Sequence, residues 1–368
     1  MKNNKILLIS SEFPPLPGGI GNHALNLAVN LQLKGMKVSV LTNQRSKKIT
    51  DDINFDKIQI FKIRRVIRNR ITVFTYFDRF IKAFFLVKEN HTIITSGKFS
   101  IWMGGVLKIF FWNRNWITVL HGSEINAGGY LSKKISSWSV ERHNKIVAVS
   151  NFTKQLMLQN NPKLNIEVIN NGFVIPKNTD IKDTDLIVGH PSIITIGNVT
   201  YRKGQQNVIR ALPSLKQNHP QIHYHIIGIP TEMNSFTELA KKLDVLENIS
   251  FHTSIPDSQK DAILKQAKVF FMLSDNLKNG DVEGFGIAVL EANALKIPAI
   301  GSKNTGIADA IKDNFSGKLV NPHDVNEISN AFDEIMSNYE TYSKNASKWS
   351  GQFLWDSIIK QYLEIIER

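Results

Sequence analysis

Short runs of aliphatic and β-branched residues alternate along this chain with longer stretches in which apolar residues recur at helical spacing. In the first half, residues 5–10, 37–42, 92–95, 116–120, 145–149 and 167–169 read as strands. Residues 22–33 read as a helix, with Gly35 as its stop. In the second half the strand pattern returns at 193–196, 223–227, 249–251, 269–273 and 298–301, with helices between. Strands alternating with helices predict doubly wound α/β domains. A chain of 368 residues exceeds what one growing core holds, so two domains are expected, 1–180 and 181–350. The linker is expected in the polar stretch 176–191, which carries Asp180, Asp183 and Asp185. An amphipathic helix closes the chain within 351–368.

Charge changes this picture. Residues 1–180 hold 26 Lys and Arg against 10 Asp and Glu, a net +16, whereas 181–368 hold 19 against 22, a net −3. Two domains with different partners explain that split better than one basic nucleic-acid binder. The absence of cysteine rules out disulfides, thiolate metal sites and a cysteine nucleophile, and suits a reducing compartment. The N-terminus runs straight into a strand without a signal-peptide core, and the apolar stretch 99–112 is short and holds Lys108. A cytoplasmic protein is therefore expected.

Four segments carry candidate chemistry. Glu283-Gly284-Phe285-Gly286-Ile287 leads into helix-forming residues around Glu291, offering bare backbone N–H groups and a positive helix end to an anion. Read as helix throughout, the spacing puts Glu283 and Glu291 roughly 12 Å apart, which suits gripping two ends of a nucleotide-sugar. A helix start with two solvated glutamates is an equal reading of that motif alone. The turn from Asn198 to Gly204 presents Arg202 and Lys203 before a helix, a diphosphate clamp or a solvated pair. Gly18-Gly19-Ile20-Gly21 follows the first strand but lacks the dinucleotide spacing, and the second strand ends without an acidic residue for a ribose. His121 closes the strand 116–120, at the edge where open sheets bind ligands.

In this order, Gly18–Gly21, His121-Gly122-Ser123-Glu124, Arg202-Lys203-Gly204 and the Glu283…Glu291 pair resemble the family 4 (group 1) retaining glycosyltransferases, bacterial surface-polysaccharide enzymes among them. The resemblance covers nearly the whole chain, and Glu283 to Glu291, followed by Gly301 to Ala310, is its most specific part. It implies the GT-B fold: two Rossmann-like domains facing across a cleft, a closing helix that crosses back to the first domain, and no metal or other cofactor. It implies that Glu283 binds hydroxyls of the donor sugar and Glu291 the ribose. Backbone at Phe285, Gly286 and Ile287 would hold sugar and phosphate. Lys203, with Arg202, would neutralise the leaving diphosphate, which the Gly19-Ile20-Gly21 loop approaches. His121 would contact the sugar near the reacting carbon, and Ile255 would pack the base. Many members carry Arg where this chain has Asn198, so Arg202 is a candidate to take over that charge.

The activity so implied is transfer of a hexose from a nucleotide-diphosphate sugar, UDP-sugar first and GDP-mannose next, to a glycan or lipid-linked oligosaccharide. A glycoside hydrolase is the rival enzyme, but it wants carboxylates ~5–10 Å apart and gains nothing from Arg202 and Lys203. The basic segment Arg64-Arg65-Val66-Ile67-Arg68-Asn69-Arg70 leads into aromatic residues, with Val73, Phe77, Phe80, Ile81 and Phe84 on one helical face and Asp78, Arg79 and Lys82 elsewhere. That helix reads equally as core or as membrane contact. The arginines point to an anionic membrane surface on the inner face of the cytoplasmic membrane.

Overall fold

The computed structural model describes residues 4–46, 48–68, 71–126, 128–176 and 187–368. The division expected near residue 180, most of the linker, and Arg70 lie outside the described residues. Contacts divide the chain into unit 1, residues 1–172 with 355–368, and unit 2, residues 173–354.

Unit 1 runs β1 (Lys5–Ser10), α1 (Gly19–Leu33), β2 (Lys37–Asn43), α2 (Ile49–Lys57), β3 (Lys62–Val66), α3 (Thr72–Glu89), β4 (Thr92–Ser96), α4 (Lys98–Phe110), β5 (Asn115–Leu120), α5 (Ser123–Asn126), α6 (Tyr130–Glu141), β6 (Lys145–Ala148), α7 (Asn151–Asn160) and β7 (Ile166–Val168). Its sheet has the order β3-β2-β1-β4-β5-β6-β7, with parallel pairing throughout. Strands such as Ile6-Leu7-Leu8-Ile9 are apolar at every position because helices cover both faces of a parallel sheet. Leu7, Ile9, Ile93 and Trp116 form one cluster with Ala83 and Leu86 of α3 and Leu107 of α4.

Unit 2 runs β8 (Ser192–Ile196), α8 (Gln205–Asn218), β9 (His223–Ile227), α9 (Met233–Lys242), β10 (Ile249–His252), α10 (Asp257–Gln266), β11 (Val269–Met272), α11 (Ile287–Ala294), β12 (Ala299–Ser302), α12 (Ile307–Ala310), β13 (Gly317–Val320), α13 (Val325–Ser337) and α14 (Tyr339–Ser350). Its parallel sheet has the order β10-β9-β8-β11-β12-β13. The last helix, α15 (Trp355–Glu367), belongs to unit 1 and packs on α1. Both sheets reverse winding direction next to their first strand, β1/β4 and β8/β11. Those switch points are where ligands of open α/β sheets bind.

Three sequence expectations need correction. β3 and β13 went unread, because Lys62, Arg64 and Arg65 interrupt any apolar alternation and Gly317–Val320 is only four residues long. The core face of α3 is Thr75, Arg79, Ala83 and Leu86, while Val73, Phe77 and Ile81 are exposed. Arg79 turns inward because its guanidinium donates to Ser10 O and Ser100 Oγ, both at 2.8 Å. α11 starts at Ile287, so Glu283 lies in the preceding loop and the helical 12 Å spacing to Glu291 does not apply.

Candidate active site

In unit 2 the backbone leaves β8 through Gly197 and makes a single 3-10 turn, Tyr201–Lys203, before α8. Gly204 ends that turn at φ 77°, and a Cβ there would sit 1.7 Å from Leu273 O, so this turn admits only glycine. The Lys203 stem lies along Gly197, where a Cβ would stand 3.1 Å from Lys203 Cε. The turn thereby aims both cations at the loop that follows β11. There Glu283 Oε2 accepts Lys203 Nζ at 2.9 Å and also pairs with Arg202, whose Nε pairs with Asp281 at 3.1 Å. Glu283 is 9% exposed. Burial alone would raise its pKa, but Lys203 and Arg202 outweigh that and hold it below the usual carboxylate range. Burial likewise acts to lower the Arg202 pKa, and Glu283 and Asp281 raise it on balance.

The same loop opens α11. Gly286 sits at φ 91°, and its missing side chain leaves room for Ile307, whose Cδ1 would be 2.5 Å from a Cβ. Gly306 donates to Glu283 O at 3.0 Å, which pins the loop against the start of α12. Phe285 is buried with its ring 5.8 Å from that of Phe353, so its side chain anchors the loop and leaves the backbone to meet a ligand. Ile287 is half-buried in the first turn of α11. Glu291 is pushed up by burial, opposed by Lys260 and Lys203 and assisted by Asp261 and Asp257. Lys203 thus acts on both carboxylates. Asn198 is exposed, and its carbonyl accepts Gln205 Nε2 at 3.1 Å. Ile255 is half-buried in the loop between β10 and α10.

In unit 1, His121 follows β5 and is buried, with Nε2 2.9 Å from Ser96 Oγ at the end of β4. Its backbone N–H donates to Glu124. His23 of α1 stacks edge-on against His121 at 5.0 Å, and its Nε2 lies 3.1 Å from Tyr362 OH on α15. Burial lowers the pKa of His23 to about 4, and burial with His23 beside it takes His121 well below its ordinary value. Both are neutral near pH 7. Glu124 is raised by burial to about 7, against backbone N–H bonds that lower it.

Gly19, Ile20 and Gly21 form the first turn of α1, where N–H groups lack helical partners. Open space stands beside Gly19, whereas a Cβ on Gly21 would stand 3.3 Å from the Phe13 backbone.

The structure therefore brings together Arg202, Lys203 and Glu283 in unit 2, with Glu291 within reach of Lys203's charge. It sets His121 in unit 1 in a cluster of its own. Sequence reading missed Asp281, Lys260, Ser96, His23 and Tyr362. His23 sits on the apolar side of α1 with Ala24, Leu27 and Leu31, the one signal that it faces inward.

Two parallel doubly wound units of this kind define the GT-B class of glycosyltransferase folds. The model for glycosyltransferase family 4 matches residues 17–175 and that for glycosyl transferases group 1 matches 176–349, so the chain belongs to this glycosyltransferase family. A GDP-mannose-dependent alpha-(1-6)-phosphatidylinositol monomannoside mannosyltransferase of Mycolicibacterium smegmatis is 31% identical over 148 residues, 40% of this chain and 39% of that protein. The match thus spans well under two thirds of that relative. An uncharacterized glycosyltransferase of Methanocaldococcus jannaschii is 23% identical over 389 residues, 98% of this chain and 97% of that one. Anabaena Alr3699/HepE, solved in complex with UDP and glucose, superposes with a TM-score of 0.80 at 16% identity, covering 99% of this chain and 100% of the other.

Proposed function

We propose that this glycosyltransferase moves a hexose, with retention and without a metal, from a nucleotide-diphosphate sugar to a glycan or lipid-linked oligosaccharide of a bacterial surface polysaccharide. The observation that carries the reading is the convergence of Arg202 and Lys203 on Glu283 at the switch point of unit 2, next to the first turn of α11. Breaking a glycosyl–phosphate bond moves the C1–O electron pair onto the diphosphate, and fixed cations beside a helix N-terminus stabilise that charge. Glu283 serves the sugar hydroxyls and Glu291 the ribose. The acceptor hydroxyl oxygen bonds to C1 on the face the phosphate leaves, and its proton passes to a phosphate oxygen. His121, held neutral, contributes a hydrogen bond without adding charge.

A UDP-sugar is the first choice of donor, in keeping with the UDP in the Alr3699/HepE complex. GDP-mannose is second, in keeping with the name of the M. smegmatis relative, whose phosphatidylinositol-based acceptor also supports a lipid-linked acceptor here. Action at the inner face of the cytoplasmic membrane would bring enzyme and acceptor together. Of the arginines read as a membrane contact, Arg64 and Arg68 are exposed. Arg65 is spent internally: it pairs with Asp56 at 2.8 Å and Asp52 at 3.4 Å.

A thermal-shift screen with UDP, GDP and ADP, with and without sugars, tests the donor. Stabilisation by one nucleoside diphosphate, unchanged by EDTA, is expected. Stabilisation by oligonucleotides alone would overturn the reading.

A further inference from the structure

Helix α3 is apolar on two sides. One side joins the core of unit 1, and the other leaves Val73, Phe74, Phe77, Ile81 and Phe85 exposed, Val73 at 71% and Phe77 at 63%. A contiguous exposed apolar patch of this kind marks a surface that something covers. The patch continues onto α4. Phe84 touches Phe110 and Phe111 at 6.1 and 4.9 Å ring to ring, and Ile109, Phe110 and Trp112 are exposed, Trp112 at 77%.

The charges around this patch are mostly cations. Lys88 Nζ lies 4.9 and 5.2 Å from the Phe84 and Phe85 ring centres, and Arg114 donates to Lys88 O at 3.0 Å. Arg64 and Arg65 are consecutive in a strand, so their side chains point to opposite faces of the sheet. Arg65 turns to α2, while Arg64 stays on the side where Val66 packs against α3. There Lys5, Lys37, Lys62 and Arg64 line a groove of about 350 Å³ closed by Leu86, Glu89 and Asn90 at the end of α3. None of the four has an ion-pair partner among the described residues, although Lys5 and Lys37 are direct neighbours across β1 and β2. Like charges set side by side repel unless an anion joins them.

We propose that the α3–α4 face of unit 1 docks on an anionic bilayer, its aromatic residues entering the interface while the Lys5, Lys37, Lys62 and Arg64 groove takes lipid phosphates. A second copy of the chain is a poorer occupant. An isologous interface would set these cations against themselves, whereas an anionic surface satisfies both apolar and charged parts. Lysine and arginine stems reach past the apolar rim to the headgroups. The proposal deepens the lipid-linked acceptor reading and rests on that reading for its purpose.

The test is flotation of the full chain with vesicles of phosphatidylcholine alone or with 30% phosphatidylglycerol (about one lipid in three anionic). Wild type is expected to float with the anionic vesicles only. Phe77→Glu with Phe85→Glu should lower partitioning at least about tenfold, since two exposed rings are replaced by charges the surface repels. Lys37→Ser, Lys62→Ser and Arg64→Ser together should lower it by roughly fivefold per cation. These residues are exposed, so nucleoside-diphosphate thermal shifts should match wild type in both variants. That readout separates failure here from failure of the donor reading. A wild type that stays at the bottom, or aromatic variants that float equally, would overturn the proposal. Undiminished flotation of the groove variant would overturn the groove's part. A wild-type dimer in sedimentation that the aromatic variant dissociates would give the face to a second copy instead.

Discussion

Unit 1 and unit 2 each gather polar side chains at the carboxyl ends of their sheets, and they treat charge in opposite ways. In unit 2, Glu283 is as buried as His121 is in unit 1, yet it stays ionised because two cations touch it. In unit 1, His23 and His121 have each other and neutral hydroxyls as neighbours, so burial strips their charge. Burial does not decide ionisation; the fixed counter-charge does. On the proposed function a diphosphate can take the place of the carboxylate charge in the unit 2 cluster, whereas the His23–His121 pair of unit 1 offers hydrogen bonds without a counter-charge.

The largest effect should come from breaking the charged side. On the proposed roles of Lys203 and Glu283, which act on charge or geometry that changes in the transition state, Lys203→Met and Glu283→Gln should each cut turnover by about a thousandfold. Circular dichroism should be unchanged, while melting should fall clearly, because either change leaves a charge of a largely buried cluster without its partner. Turnover within tenfold of wild type in either variant would remove that residue from the chemistry.

That cluster was legible residue by residue. Arg202, Lys203 and Glu283 stand in short motifs flanked by glycines, and the glycines are required by the packing seen at Gly204 and Gly286. Most strands were legible too, because parallel strands buried on both faces are continuously apolar. What escaped depends on contacts far apart in sequence. The edge strand β3 looks like a basic loop until Ile63 pairs beside Val40. Arg79 looks solvated until Ser10 O and Ser100 Oγ arrive from 69 and 21 residues away. His23 gains its meaning from Tyr362, 339 residues on. Local pattern carries element type and turn chemistry, whereas the partners of a buried polar group are set by topology.

The neutral side is sharpened by pH. Glu124 titrates near 7 in the folded protein, raised by burial and by Glu12 and lowered by the backbone N–H groups of His121 and Gly122, with Lys98 also near. Its ordinary value is 4.5, so between about 4.5 and 7 the folded state holds the proton that the unfolded state has released. The stabilisation from this group is full below 4.5 and is lost as pH rises to 7, about 3 kcal/mol in all. His23 and His143, the latter buried after α6 with Nε2 3.0 Å from Thr95 Oγ1, work in the opposite sense. Each titrates near 4 folded and 6.5 unfolded, so their contribution is full above 6.5 and is lost as pH falls toward 4. Comparing Glu124→Gln with wild type isolates the carboxyl. Relative to wild type, the variant should gain stability in chemical denaturation as pH goes from 5 to 8. A pH-independent difference would show that Glu124 is ionised throughout.

A smaller effect is expected at Glu291, which shares Lys203's field with Glu283 but sits on α11. A ribose contact binds ground and transition states alike, so Glu291→Ala should weaken nucleotide affinity about tenfold and leave kcat within twofold. Calorimetric titration with the nucleoside diphosphate, set beside steady-state kinetics, separates the two. A large fall in kcat would place Glu291 with Glu283 in the chemistry.

The smallest change tests whether neutrality in unit 1 is also orientation. Ser96 Oγ is the hydrogen-bond partner of His121 Nε2, and both groups are buried. In a neutral imidazole one nitrogen donates and the other accepts, and the partner on one side selects which. Ser96→Ala removes that selection, at a stability cost of about 1 kcal/mol for one buried hydrogen bond. It leaves the backbone bond from His121 to Glu124 in place, so the ring stays on its loop while its tautomer becomes free to change. Turnover should fall about fivefold with nucleotide affinity unchanged, since no donor phosphate contact is touched. Nitrogen-15 chemical shifts of the His121 ring should move from one tautomer toward a mixture in the variant. If the shifts and the turnover both stay at wild-type values, Ser96 is only a packing neighbour, and the orientation of His121 must come from its stacking on His23.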